Sequence, residues 1–134
     1  MSEKISVSLA VQVSGGPKIS STQSIAIEAY DSIKVTILGT AQGQADSDKE
    51  VEVQPGAVSG QVSFLAITSN RYDSNLTYEV NAIASGVVAL DSPHILAGQG
   101  AVGLLDPAPT RLFFSSNIAE NAEIHILVGR DATP

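Results

Sequence analysis

Along Ile5-Ser6-Val7-Ser8-Leu9-Ala10-Val11-Gln12-Val13, large apolar residues alternate strictly with small or polar ones. Successive side chains of a strand point to opposite faces, so this run predicts a strand with one apolar and one wettable face. Ser14-Gly15-Gly16-Pro17 ends it, because glycine supplies turn conformations and proline cannot extend a ladder. From Ser24 to Leu38, Ile25, Ile27, Ala29, Ile33, Val35 and Ile37 share one parity. Asp31 breaks that set, and Tyr30-Asp31-Ser32 reads as a tight turn or kink between two strands.

Further strands are expected at Val51–Val53, Gln61–Ser69, Leu76–Ala82, Gly86–Leu90, Arg111–Ser115 and Glu123–Val128. Between them lie the turn signals Pro55-Gly56, Asp91-Ser92-Pro93 and Asp106-Pro107-Ala108-Pro109, with Asn117–Asn121 read as the hairpin joining the last two strands. Ile95–Leu105 is apolar but interrupted by Gly98, Gly100 and Gly103. Roughly nine or ten short strands with turns every eight to twelve residues predict an all-β fold. The expected architecture is a single-domain antiparallel β-sandwich over residues 1–134, jelly-roll-like.

Several of the expected strands are apolar on both parities. Val62 and Phe64 oppose Leu65 and Ile67; Leu112 and Phe114 oppose Phe113; Ile124, Ile126 and Val128 oppose Leu127. A sheet with one face in water has no use for this. Bulges, or strands covered on both sides within the monomer, would explain it. So would a second buried surface between identical subunits, which is the preferred expectation, with Leu65, Ile67, Phe113 and Leu127 at the interface.

Composition supports the sheet reading. Val and Ile number 25 against 10 Leu, and β-branched side chains suit a pleated surface. With no cysteine, a disulfide scaffold, a zinc ribbon and a thiol nucleophile are all excluded. The net charge is −7 and the seven cations are scattered singly, so neither nucleic acid nor an anionic membrane is an expected partner. Ser6, Ser8 and Gln12 interrupt the first apolar stretch, and no run approaches the roughly 18 apolar residues of a membrane span. No signal peptide or transmembrane segment is expected, and the location is read as cytoplasmic or particle-associated.

Catalytic patterns lack their partners. Gly98-Gln99-Gly100-Ala101-Val102-Gly103 has the spacing of a dinucleotide-binding turn, but Pro107 follows too soon for the helix that must hold the pyrophosphate. Asp46, Asp48, Glu50 and Glu52 offer oxygen ligands without the glycine of a calcium loop, and Lys49 intrudes. The two histidines, His94 and His125, stand near no Gly-x-Ser-x-Gly elbow, and His125 is expected on the face away from Ile124 and Ile126. Asn75-Leu76-Thr77 is a sequon without a secretion signal.

The expectation is a non-enzymatic structural or assembly protein without a cofactor. It would form a homo-oligomer, such as a trimeric ring, within a virion- or phage-like particle. The alternative is a lectin-like or small-ligand module using the loops Gly39–Asp48 and Asn70–Asn75, with Asn70, Arg71, Tyr72 and Asp73 as the residues that contact a carbohydrate.

Overall fold

The opening alternation forms β1 (Glu3–Gln12), and the chain turns back at once into β2 (Lys18–Ile27). Gly15 takes φ +70° in the turn, which the Val13 N–H closes on Pro17 O at 2.9 Å. The two strands pair antiparallel over ten residues, from Gln12↔Lys18 to Glu3↔Ile27. β2 went unforeseen before Ser24, because Ser20, Ser21, Thr22 and Gln23 make both of its faces polar there.

In this computed structural model, which describes residues 3–53, 62–83, 86–105 and 109–130, the chain is all-β with three antiparallel sheets. The Pro55-Gly56 turn and Asp106-Pro107-Ala108 lie outside the described residues. Beyond the hairpin come β3 (Ala29–Ile37), β4 (Lys49–Glu52), β5 (Val62–Ser69) and β6 (Leu76–Val80). β7 (Val88–Ala89), β8 (His94–Ala97), β9 (Arg111–Ser116) and β10 (Ala122–Arg130) follow. One four-stranded sheet has the order β3-β10-β5-β8 and the other β4-β9-β6-β7. The pairs β3·β10, β4·β9, β5·β8 and β6·β7 are nested, each enclosing the next in sequence. The pairs β5·β10 and β6·β9 then join them side by side.

The inner faces of both four-stranded sheets feed one core. Ile37, Leu65, Ile67, Ile124, Ile126 and Val128 come from the first; Val51, Leu76, Tyr78, Val80, Leu112 and Phe114 come from the second. Asp31 sits on the inward parity of β3, where it ion-pairs with Arg130, so β3 runs through Tyr30–Ser32 without the expected kink. The break falls instead at Glu28, whose N–H donates to Arg130 O at 3.0 Å. Asn117–Asn121 does not close a hairpin either: β9 and β10 belong to different sheets, and the loop crosses between them. The glycine-rich segment after β8 forms a single helical turn, α1 (Gln99–Val102).

A second, smaller core lies outside the first sheet. Ladder register shifts between Gly129↔Phe64 and Arg130↔Val62, leaving Ser63 as an extra residue in β5. A bulge of this kind reverses parity. Val62 therefore faces inward with Leu65 and Ile67, while Phe64 and Ala66 face outward and pack under Val7, Ile25 and Ile27 of the hairpin. Gly129 makes the docking possible, since a Cβ there would meet the Ile5 Cδ1 at 2.5 Å and the Ile27 Cγ2 at 3.1 Å.

At Gly39 the constraint is backbone on backbone. A Cβ would press into the carbonyl oxygens of Ala119 and Glu120. Gly39→Ala is expected to destabilise the fold by roughly 1–3 kcal/mol, read from the midpoint of urea unfolding.

Candidate functional site

Three loops meet at one end of the molecule. Thr40 and Ala41 N–H donate to Ile118 and Ala119 O, Asn117 N–H to Asn75 O, and Ser116 N–H to Asp46 O. Both loops expected to carry a ligand site, Gly39–Asp48 and Asn70–Asn75, are thus brought together, with 117–121 as an unforeseen third. Asn70, Arg71, Tyr72 and Asp73 line a cleft of about 310 Å³ with Ile118 and Glu120.

Their polar atoms, however, hold the loops. Asn70 Oδ1 accepts from Glu123 N–H at 2.9 Å, Asp73 Oδ1 from Asn75 N–H at 2.8 Å, and Tyr72 Oη from Ser69 N–H at 3.0 Å. Arg71 Nε donates to Asn121 O at 3.2 Å, with Nη1 3.8 Å from Glu120. The Tyr72 ring packs on the main core, so this cleft lacks the open aromatic face on which a sugar would stack.

The two histidines part company. His125 projects outward from β10, and its Nε2 lies 2.7 Å from Ser32 Oγ, beside a cleft of about 330 Å³ shared with Lys34, Asn70 and Glu123. A serine nucleophile needs an imidazole oriented by a carboxylate. Across the ladder, His125 is flanked by Lys34 and Thr68 instead. His94 faces inward, and its Nδ1 shares a 2.7 Å hydrogen bond with Tyr78 Oη. The rings of Tyr78 and His94 meet edge-on at 5.6 Å. Tyr78 is fully buried, and burial pushes its phenol well above the ordinary tyrosine range.

The carboxylates of 46–52 diverge. Asp46 accepts from Leu38 N–H at 2.8 Å, and Glu50 pairs with Arg111 at 3.2 Å. Among the described residues no group of three or more His, Asp or Glu could hold a metal ion. Nor is any helix among them long and apolar enough to cross a membrane.

The four residues expected at a subunit interface occupy three environments. Leu65 and Ile67 are wholly buried in the main core, out of reach of a second chain, because the bulge at Ser63 turns them inward. Leu127 faces outward and packs partly under the hairpin. Phe113 lies on the outer parity of the second sheet, between Glu50 and Glu79, and is itself largely covered. Nothing brings the four together.

The exposed apolar surface lies elsewhere. Ile5, Val7, Leu9, Val11, Ile19, Ile25 and Ile27 share one face of the hairpin, since directly opposed residues project to the same side. Its proximal half is docked. Its distal half stands free: Val11 is 61% and Ile19 70% exposed, with Leu9 and Val13 beside them. The regular alternation from Ile5 to Val13 carried this signal, but one strand alone could not show where its cover stopped.

The chain matches no family model, and neither a curated protein nor a solved structure matches it.

The buried phenol carries a pH signature. Folding raises the Tyr78 pKa, so its contribution to stability is intact below the unfolded value near 10 and declines as pH rises beyond it. Thermal melts should hold steady up to pH 10 and then fall. Tyr78→Phe should remove this component of the fall while costing about 1–3 kcal/mol at neutral pH, because His94 Nδ1 loses its partner.

Proposed function

We propose that this protein is a non-enzymatic structural subunit, a β-sandwich of jelly-roll type that assembles with copies of itself into a closed ring, such as a trimer, within a larger virion- or phage-like particle. The nested strand pairs support the jelly-roll reading. They are what one long antiparallel hairpin makes when it is rolled so that its strands fall alternately into two facing sheets.

The observation that carries the assembly reading is the free apolar half of the hairpin. An isolated two-stranded ribbon is marginal in water. Here the ribbon keeps large aliphatic residues on one face beyond the surface that covers it. Covering each such side chain contributes on the order of 1–2 kcal/mol, and a second subunit is the available cover. The histidines, the serine beside His125 and the loop carboxylates are occupied in structural contacts, which supports a role without catalysis.

Light scattering on the purified chain should give a multiple of 13.8 kDa. Val11→Asp combined with Ile19→Asp should weaken assembly tenfold or more and leave a folded monomer with unchanged core melting. A wild-type monomer at micromolar concentration would end the assembly reading.

The carbohydrate-binding alternative would use the cleft at Asn70–Asp73, although its polar side chains already hold the loops. Glycan binding by the wild type, abolished in Tyr72→Ala, would move the function there.

A further inference from the structure

The hairpin tip implies a receiving surface, and the molecule contains one. Between the free edge of β1 and the outer face of the first sheet runs a groove of about 530 Å³ lined by Lys4, Ile5, Ser6, Ile27, Tyr30 and Leu127. Among the described residues no strand but β2 pairs with β1, and Tyr30 stands 55% exposed at the rim. Resting on the self-assembly reading above, we propose that the hairpin tip of one copy seats in this groove of a neighbouring copy, setting Val11 and Ile19 against Tyr30 and Leu127.

Three observations converge on a second copy as the occupant. First, the tip cannot serve its own groove. Val11 lies six residues beyond Ile5 on one extended strand, about 20 Å away along the hairpin. Second, the groove continues an interface that this same face already makes. Ile5 and Ile27, which seat the hairpin at Gly129, form one wall, and Leu127, packed against that small core, lies at its base. An apolar ribbon of the same pattern would extend this packing toward Tyr30. Third, the charges are complementary. The hairpin, residues 3–27, carries two lysines against Glu3, whereas residues 28–134 carry 13 carboxylates against five Lys and Arg. The hairpin, with a net charge of +1, is thus attracted rather than repelled by the acidic body of a neighbour.

Donor and acceptor are different parts of one molecule. Exchange is therefore either reciprocal between two copies or sequential around a ring, and a sequential contact closes when the rotation allows.

The absence of cysteine makes the test direct. In the full chain, Val11→Cys and Tyr30→Cys are introduced singly and together, and mild oxidation is followed by non-reducing electrophoresis. The double variant should form covalent dimers and larger species, because a disulfide requires Cα atoms within about 7 Å. Either single variant should stay monomeric on the gel. Ile19→Cys with Tyr30→Cys tests the same contact from the other strand of the ribbon, should the first pair not accumulate. Crosslinking by V11C alone would mean that tips meet tips, and would overturn the arm-in-groove contact while leaving assembly intact. So would an absence of crosslinks in both double variants when light scattering still gives a multimer. A native monomer in light scattering would overturn the assembly reading itself, and this inference with it.

Discussion

The structure depends on one strand that is apolar on both faces. β5 lies between β10 and β8, with Leu65 and Ile67 turned into the main core and Phe64 and Ala66 turned away from it. The outward pair cannot face water without cost, at roughly 25 cal/mol for each Å² of apolar surface. The hairpin is what covers them. Its position is set by steric fit as much as by area: Gly129 leaves the notch that Ile5 and Ile27 fill, and Glu28 alone links the ribbon to β3. The small outer core and the main core are therefore back to back on the same two strands, β5 and β10.

That arrangement separates the two ends of the ribbon. Near Glu28 it belongs to the protein body, with Val7, Ile25 and Ile27 buried. Near Gly15 it is a surface in search of cover. Several polar side chains serve the fold itself: Asn70, Tyr72 and Asp73 hold loops, His125 bridges to Ser32, and Tyr78 and His94 satisfy one another inside the core. Tyr78 and His94 are the clearest case, a polar pair whose hydrogen bond lets an aromatic phenol sit beside Phe114 at no exposure.

Much of the strand content was legible because alternation reports burial directly. Ile33, Val35 and Ile37, Leu76, Tyr78 and Val80, and Ile124, Ile126 and Val128 all turn inward as one parity requires. The all-β class followed from such runs. The illegible parts have specific causes. Parity runs unbroken across Glu28 although Ile25 and Ile27 serve one core and Ile33 to Ile37 the other, so the true break left no mark. A bulge at Ser63 changes which of Phe64 and Leu65 points inward, and alternation counted from Val62 cannot anticipate an inserted residue. The candidate interface suffered most from this. Of the apolar residues out of phase, Leu65 and Ile67 fill the main core, and the cover over the outer face comes from the chain's own ribbon. The turn residues of Asn117–Asn121 suit a crossing between sheets as well as a hairpin, since they report a change of direction and not its destination.

The position of Gly129 has a kinetic consequence. The ribbon is built from the first two strands of the chain, and its strands are joined by a short turn, so it can form early and locally. Its seat includes Leu127 and Gly129, which lie on the last of the ten strands in chain order. During synthesis Phe64 and Ala66 of β5 offer the ribbon part of its seat, and the seat is complete only when β10 brings Leu127 and Gly129. The groove beside it is incomplete before that moment too. The groove wall at Ile5 and Ile27 and its base at Leu127 therefore come together only once β10 has paired with β3 and β5, so strands far apart in the sequence share one surface.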